Sequence, residues 1–280
     1  MKLKRKIKRN FKKIIQLFNQ KEIVAVEVPV DTQQILKNKV AFISGGSGGI
    51  GFAIAKAYLK SGCKVIISGT NSQKLKDKCS QLEKYGEVKS IMIDFTDSLA
   101  FSRNLKKIVN LFGRIDIFVN SAGVHTENLN FWELSPQEYD RVMSINLKAP
   151  YFASIEIAKY WKSKKIPGNI LLISSSRGSE PAWSPYGISK WGLNGMVKGL
   201  AQMLLDDNII VTGIAPGSTA TPLLGKKEGD NIYTLDNKFE RMVLPDEIGI
   251  YASLLASPSA KMLTGEVIHI SGGRGTFDIR

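Results

Sequence analysis

The chain has 280 residues, of which 43% are hydrophobic and 23% are charged, and this balance excludes an intrinsically disordered protein. No run of about 18 apolar residues occurs, so we expect no membrane-spanning helix. The formal net charge is +14, but residues 1–21 hold nine of the 39 basic residues and no acidic one. The remainder shows no stripe of basic residues interleaved with aromatic ones, and we therefore expect no nucleic-acid partner.

Residues 1–22 are interpreted as a basic amphipathic leader. Apolar residues recur there at helical spacing, with lysine and arginine filling most other positions: Leu3, Ile7, Phe11, Ile14 and Phe18. Three roles remain open, namely peripheral contact with an anionic membrane surface, packing on the domain or a sister subunit, and a frayed terminus. Residues 23–37 are predicted to hold a short strand and a linker.

From residue 38 to residue 280 short apolar runs alternate with helical stretches. The runs are rich in β-branched residues and are predicted strands: Val40–Ile43, Val65–Ile67, Val88–Ile93, Ile115–Val119, Ile170–Ile173, Ile209–Ile214 and Val267–Ile270. The stretches between them include the predicted helices Gly51–Lys60, Lys74–Tyr85, Ser98–Phe112 and Ile145–Lys162. This alternation predicts one α/β domain of the Rossmann type, with a seven-stranded parallel, doubly wound sheet and helices on both faces.

Cysteine and histidine are scarce. Cys63 and Cys79 are too few for a disulfide framework and indicate free thiols in a reducing compartment, which we take to be the cytoplasm. His125 and His269 lie far apart with no Cys/His cluster, so we expect no metal site.

A glycine-rich turn directly follows the first predicted strand and leads into a helix. Glycine permits positive φ and close approach of a ligand, and a helix N-terminus favours a pyrophosphate. The turn residues expected to bind a dinucleotide cofactor are Gly45, Ser47, Gly48, Gly49, Ile50 and Gly51.

The end of the second strand bears on the choice between NAD and NADP. A carboxylate there would select NAD and a basic residue NADP, but the chain has Thr70 and Asn71. Because no carboxylate repels a 2′-phosphate and both side chains can donate to it, we favour NADP over NAD. Asp94 and Phe95, after the third strand, are placed at the adenine edge, and Asp94 also suits a helix cap or turn.

Tyr186 and Lys190 are four residues apart in a predicted helix over 185–205, so their side chains share one face. A nearby ammonium stabilises a phenolate and lowers the pKa of the phenol, which suits a general acid or base. Three serines, Ser174 to Ser176, follow the strand Ile170–Ile173, and the carboxyl ends of strands are where open α/β sheets place their active sites.

Over about residues 36–273 the chain resembles the short-chain dehydrogenase/reductase family. The motifs that carry the resemblance are Ser44-Gly45-Gly46-Ser47-Gly48-Gly49-Ile50-Gly51, Asn120-Ser121-Ala122-Gly123, Asn146, Ser175 three residues before Gly178, Tyr186 with Lys190, and Pro216-Gly217 followed by Thr219 and Thr221. The resemblance adds the following to the expected cofactor site: Asn120, Ala122, Gly123, Tyr186, Lys190, Pro216, Gly217, Thr219 and Thr221.

The resemblance implies four catalytic roles. Tyr186 is the proton donor in reduction, Ser175 orients the carbonyl, Lys190 lowers the pKa of the tyrosine and binds the nicotinamide ribose, and Asn146 positions a water that links Lys190 to solvent. Ser175 precedes Tyr186 by only eleven residues, so one of its two serine neighbours remains an alternative.

The expected reaction is hydride transfer between NADP or NAD and a carbonyl compound or secondary alcohol. The predicted pocket walls are 124–128, 177–185 and a mobile lid over 222–243, and His125, Arg177, Lys226 and Lys227 suggest a polar, basic rim. We favour a polar substrate such as a sugar derivative. The alternatives are a 3-oxoacyl-acyl-carrier-protein reductase and a non-catalytic membrane-associated scaffold, and the family suggests a homodimer or homotetramer formed through the Tyr186 helix and the last strand.

Overall fold

The computed structural model describes residues 34–94, 97, 99–127 and 130–277. Within these ranges seven strands form one sheet: β1 (Val40–Ser44), β2 (Lys64–Gly69), β3 (Val88–Met92), β4 (Ile117–Asn120), β5 (Gly168–Ile173), β6 (Ile209–Pro216) and β7 (Val267–Ile270). All neighbouring strands are parallel, in the order β3-β2-β1-β4-β5-β6-β7. The predicted fold class is confirmed. The leader, the strand predicted before residue 34, Phe95 and Asn128 lie outside the described residues.

Helices connect and cover the strands. They are α1 (Gly49–Lys60), α2 (Ser72–Glu83), α3 (Ala100–Phe112), α4 (Pro136–Met143), α5 (Ala149–Lys164), α6 (Pro185–Leu204) and α7 (Pro245–Ala256). A π-helical turn, Ser144–Lys148, joins α4 to α5. No helix in the described part of the chain is long and apolar enough to cross a membrane.

Two helices differ from the sequence prediction. The helix predicted to start at Ile145 belongs to a longer helical segment that begins at Pro136, where the Ser135 hydroxyl accepts from the Glu138 backbone N–H at 3.2 Å. Helix α7 was not predicted. It begins with Pro245, and the Glu247 carboxylate accepts from the Leu244 backbone N–H at 2.7 Å. Both starts are Pro-led, with a glutamate in the first turn, a recognisable helix signal.

The apolar strands are buried between two helical layers. On one face α1, α2 and α7 pack against residues such as Ile43 and Ile67. On the other face α3, α5 and α6 cover a cluster that includes Phe42, Phe101 and Phe118, with ring centroids 5.3 to 6.0 Å apart. Burial on both faces explains why the strands are apolar runs rather than alternating patterns.

The strand order reverses at β1. The chain places β2 and β3 on one side of β1, and β4 to β7 on the other. Connections that leave β1 and β4 therefore diverge at the carboxyl edge and open a crevice there, which is where doubly wound sheets bind ligands.

Candidate active site

The glycine-rich turn lies at this crevice and tolerates no side chain at two positions. Gly45 has φ +66°, and a Cβ on it would lie 2.7 Å from the backbone nitrogen of Ala122. A Cβ on Gly51 would overlap the carbonyl oxygen of Gly45. The turn is therefore packed directly against the segment after β4 and against the first turn of α1, whose unpaired N–H groups face the crevice edge.

Polar groups at the neighbouring strand ends complete a cradle. The Ser44 hydroxyl donates to the Asn120 side-chain oxygen at 2.9 Å, while Asn120 Nδ2 is buried without a partner among the described residues. A Cβ on Gly49 would lie 2.6 Å from the Thr221 methyl group, so the segment after β6 borders the turn. An unpartnered buried donor and a backbone cradle fit a dinucleotide.

The ends of β2 and β3 are exposed at the same edge. Asn71 caps α2, because its side-chain oxygen accepts from the Lys74 backbone N–H at 2.9 Å. Its amide nitrogen and the exposed Thr70 hydroxyl are donors beside this cap. Asp94 is exposed after β3. The end of β2 itself thus has neither a carboxylate nor a basic side chain at Thr70 and Asn71, and Asp94 follows the neighbouring strand β3.

Tyr186 and Lys190 lie in the first two turns of α6. Pro185 is its first residue, and the Ser184 hydroxyl accepts from the Gly187 backbone N–H at 3.2 Å. Tyr186 is anchored further because its backbone N–H donates to the Thr126 hydroxyl at 3.1 Å. One turn later Lys190 is buried, and its Nζ lies 5.6 Å from the centre of the Tyr186 ring.

Three further groups lie beside Tyr186 and Lys190. Lys190 Nζ donates to the Ile173 carbonyl at the end of β5 at 3.0 Å. Asn146, in the π-helical turn, is fully buried and exchanges two hydrogen bonds of 2.9 Å with the Val124 backbone. A Cβ on Gly123 would lie 3.4 Å from Asn146 Oδ1 and 3.7 Å from Lys190 Nζ. The structure therefore brings Asn146 and Lys190 together beside the segment that follows β4.

The three serines after β5 have different surroundings. The Ser174 hydroxyl donates to Asn194 Oδ1 at 2.6 Å and is buried against α6. The Ser175 hydroxyl accepts from the Arg177 backbone N–H at 3.2 Å, and it lies near enough to the Tyr186 hydroxyl to oppose the rise in the pKa of that phenol. Ser176 lines the same cavity as Ser175. Of the three serines, Ser175 is therefore the one that both lines the cavity and interacts with Tyr186.

The electrostatics of Tyr186 correct one sequence-based expectation. Burial raises the pKa of Tyr186 above its ordinary value, and the opposing influences are the Ser175 hydrogen bond and the charges of Arg177 and Arg274. Lys190 is not among the charges that lower the pKa of Tyr186, and removal of the phenol from water has the largest effect. The His125 ring stacks on the Tyr186 ring, with the ring centroids 4.2 Å apart. Burial lowers the pKa of His125, so the imidazole is neutral at pH 7.

Burial lowers the pKa of Lys190 to about 8. Since its pKa in the unfolded chain is about 10.4, the unfolded state binds more protons between these values, and the free energy of unfolding rises with pH there. Relative to Lys190→Met, we expect wild-type stability to gain up to ~3 kcal/mol from pH 8 to pH 10.5. Urea unfolding at several pH values measures this. The control is Lys198→Met, at an exposed position on the same helix, and its free energy of unfolding should vary with pH as that of wild type does. If the free energy of unfolding of Lys190→Met also varied with pH as in wild type, the lowered pKa of Lys190 would be contradicted.

A cavity of about 300 Å³ opens beside Tyr186. Its lining is rich in hydroxyl and guanidinium groups and comprises His125, Thr126, Ser175, Ser176, Arg177, Pro181, Ala182, Trp183, Ser184, Tyr186, Gly187, Gly217, Ser218, Leu224 and Arg274. Residues from each of the three predicted walls line this cavity. Ser218 and Arg274 were missed. Ser218 lies between Gly217 and Thr219, which were assigned to the cofactor, and Arg274 lies beyond the last recognised motif, where no local pattern marks it.

The predicted basic rim needs correction. Lys226 and Lys227 do not line the cavity, and Lys226 Nζ donates to the Asn231 carbonyl at 2.6 Å within its own segment. Arg177 does line it but forms an ion pair with Glu180 at 2.7 Å. The cavity lining has polar and apolar parts, and its two arginines are balanced by carboxylates. The two ends of the segment expected to be a lid are held together, because Thr219 pairs with Val243 in an isolated parallel β-bridge.

An exposed aromatic cluster borders the cavity. Trp183 lines the cavity and meets Phe131 edge to face, with ring centroids 5.8 Å apart. Phe131 in turn meets Trp132 at 5.1 Å, and Trp132 is 87% exposed. The mouth of the cavity therefore has apolar as well as polar surface.

Comparison with known proteins agrees with this geometry. Residues 39–231 match the family model described as short chain dehydrogenase. The chain is 30% identical over 246 residues to a 3α-hydroxysteroid dehydrogenase of Mediterraneibacter gnavus, covering 85% of this chain and 97% of the relative. It is 34% identical over 240 residues to a 3-oxoacyl-acyl-carrier-protein reductase of Rickettsia typhi, covering 84% and 96%.

A solved structure shows the same similarity in three dimensions. The 3-ketoacyl-acyl-carrier-protein reductase of Brucella melitensis, complexed with NADH, superposes with a TM-score of 0.77 at 26% identity. The match covers 86% of this chain and 99% of that one.

Proposed function

The chain belongs to the short-chain dehydrogenase/reductase family and is an NAD(P)-dependent oxidoreductase, and we propose that its substrate is a polar carbonyl compound or secondary alcohol, such as a sugar derivative. The convergence of Ser175, Tyr186 and Lys190 beside the crevice carries the assignment of the reacting centre. The hydroxyl-rich cavity next to Tyr186 supports the polar substrate.

The cofactor would be held by the turn after β1 and the ends of the neighbouring strands. Backbone N–H groups at the start of α1 suit the pyrophosphate, and the unpartnered Asn120 Nδ2 is a further donor in the crevice. When bound, the cofactor supplies or accepts the hydride. Lys190, beside Gly123, is the cation available to the nicotinamide ribose.

Tyr186 acts as the proton donor to the carbonyl oxygen in the reducing direction. Burial raises its pKa, so the hydroxyl is protonated at neutral pH, as a proton donor must be. Ser175 donates to the same oxygen and stabilises the negative charge that develops in the transition state. Asn146 holds the Val124 backbone beside Lys190, where a water can relay protons from solvent.

A pair of variants tests the choice of serine. Ser175→Ala should lower kcat by about 10²-fold, because one preorganised donor to the oxyanion is lost. Ser174→Ala removes a buried hydrogen bond to Asn194 and should reduce stability by about 1 kcal/mol with little effect on kcat. Steady-state kinetics and thermal unfolding distinguish the two. The assignment fails if Ser174→Ala loses kcat and Ser175→Ala does not.

Two ketones with the same carbon skeleton test the substrate class. 1,3,4-Trihydroxybutan-2-one differs from butan-2-one only in its hydroxyl groups, and we expect a kcat/KM at least tenfold higher for the hydroxylated ketone. Each polar contact to a substrate hydroxyl adds about 1 kcal/mol of discrimination. Equal or better use of butan-2-one would contradict a polar substrate.

We further propose a preference for NADPH. The end of β2 has donors, Thr70 and the Asn71 amide, and lacks a carboxylate. Separate titrations of NADPH and NADH, followed by nicotinamide fluorescence, should give tighter binding of NADPH. Tighter NADH binding would show that these donors do not select the 2′-phosphate, and binding of neither cofactor by folded protein would favour the scaffold hypothesis.

A second candidate is the reduction of 3-oxoacyl groups on an acyl carrier protein. The exposed rings of Phe131, Trp132 and Trp183 favour it, because an acyl chain could extend over them from the cavity. Several similar proteins are reductases of this kind. Salt-sensitive activity on acyl-carrier substrates, with none on hydroxylated ketones, would establish this candidate instead.

Assembly and location are part of the proposal. A homodimer or homotetramer is supported by exposed apolar residues on α6, including Ile188 and Trp191, and by the outer position of β7 in the sheet. We place the protein in the cytoplasm, with residues 1–22 as a possible contact with an anionic membrane surface. Unchanged co-sedimentation with anionic vesicles after removal of these residues would refute that contact.

A further inference from the structure

Arg274 lies in the segment after β7, beyond the last recognised motif, and lines the cavity together with Ser175 and Tyr186. The segment is packed closely at this point, because a Cβ on the next residue, Gly275, would lie 2.7 Å from the Ser176 carbonyl oxygen. The Arg274 side chain is 20% exposed. A mostly buried guanidinium therefore borders the space in which the substrate reacts.

Two carboxylates from different segments hold this guanidinium. Its Nε donates to Glu180 Oε1 at 2.8 Å, and its Nη1 lies 3.0 Å from Asp236 Oδ2. Nη1 also donates to the Ser218 hydroxyl at 3.1 Å. Because the guanidinium group is planar, contacts on two sides fix its orientation without any ligand.

One edge of the group remains available. A guanidinium has five N–H donors, and the contacts above involve only Nε and Nη1. Within the part of the chain that the structure describes, Nη2 makes no hydrogen bond to the protein. A preorganised donor that lines a substrate cavity is suited to bind a substrate oxygen.

The surrounding charges indicate which kind of substrate oxygen suits the Nη2 donor of Arg274. Arg274 and Arg177 both contact Glu180, and Asp236 faces Arg274, so two guanidinium groups are balanced by two carboxylates. A phosphate or carboxylate on the substrate would meet no excess of positive charge and would lie near Glu180 and Asp236. A hydroxyl or ring oxygen accepts the same hydrogen bond without that repulsion.

We propose that Arg274 is a specificity-determining residue, fixed by Glu180 and Asp236, whose Nη2 binds an uncharged hydroxyl or ether oxygen of a hydroxylated substrate near the reacting carbon. This inference rests on the proposed function, because it names the residue that selects hydroxylated carbonyl compounds. It accounts for two carboxylates that hold a cavity-lining arginine and have no part in the proton transfer.

The test compares Arg274→Lys and Arg274→Met with wild type on 1,3,4-trihydroxybutan-2-one and butan-2-one. Lysine keeps the charge but cannot hold both carboxylates and a substrate oxygen in one plane. We expect the ratio of kcat/KM for the hydroxylated ketone to that for butan-2-one to fall about 10- to 100-fold in both variants, because only the hydroxylated ketone loses a hydrogen bond to Arg274. NADPH binding should be unchanged, which verifies folding. Arg114→Lys, in an ion pair with Asp116 before β4, is the matched control and should keep the wild-type ratio.

The outcomes separate the inference from the function on which it rests. A wild-type preference for butan-2-one would contradict the proposed substrate class. A wild-type preference for the hydroxylated ketone that persists in both Arg274 variants would leave the proposed function intact and overturn the role of Arg274. Equal losses on both ketones in both variants would show that Arg274 only supports the fold of the cavity.

Discussion

Replacing Tyr186 by Phe is expected to lower kcat by about 10² to 10⁴-fold, because the substrate oxygen loses its proton donor. The ring itself is retained, so the stacking on His125 at 4.2 Å and the backbone hydrogen bond to Thr126 should persist. NADPH affinity should therefore change little. Steady-state turnover and fluorescence titration measure the two effects separately.

Tyr58→Phe is the matched control for this experiment. Tyr58 is also buried, and its hydroxyl donates to the Ala252 carbonyl at 3.2 Å, between α1 and α7. Loss of that bond should cost about 1 kcal/mol of stability and leave kcat near wild type. If Tyr186→Phe retained kcat within threefold of wild type, Tyr186 would not be the proton donor, and the proposed reacting centre would be wrong.

Gly51→Ala is expected to weaken NADPH binding by at least about 100-fold. The new Cβ would overlap the Gly45 carbonyl oxygen, which is backbone and cannot rotate away. Gly45 in turn is held at φ +66° against Ala122, so the whole turn must shift. A displaced turn no longer directs its N–H groups at a pyrophosphate. We also expect a loss of stability of about 1–3 kcal/mol from overpacking.

Gly199→Ala provides the comparison, since a Cβ there would meet no atom within 4 Å. Gly199 is an exposed position on α6, outside the crevice, and its substitution should leave NADPH affinity unchanged. Fluorescence titration gives the affinities, and thermal unfolding shows whether Gly51→Ala remains folded. Wild-type affinity in a folded Gly51→Ala protein would mean that the turn after β1 does not bind the cofactor.

Local patterns in the sequence were sufficient for the sheet. Each strand between two helical layers must be apolar on both faces, so runs such as Ile170–Ile173 are visible without any knowledge of their neighbours. The helix starting at Pro136 and α7 were not predicted, although each begins with a local signal in the sequence, a proline followed by a glutamate in the first turn.

Local patterns in the sequence were not sufficient for the cavity. The resemblance assigned Ser175 a role but left its neighbours open, since three adjacent serines have the same chemistry and only their direction differs. The structure separates them, because the Ser174 hydroxyl donates to Asn194, whereas the Ser175 hydroxyl interacts with Tyr186 and lines the cavity. The shift in the pKa of Tyr186 likewise depends on burial, which no spacing of Tyr186 and Lys190 can reveal.

By itself the sequence determined the family, the parallel α/β sheet, the glycine-rich turn after β1 and the spacing of Tyr186 and Lys190, because each is encoded by residues close together in the chain. Only the tertiary structure decided which groups line the cavity and which carboxylates hold them. Glu180, Ser218, Asp236 and Arg274 come from segments up to 94 positions apart. Their ion pairs arise only when the sheet brings the segments after β5, β6 and β7 to one edge, where long-range packing sets both charge balance and burial.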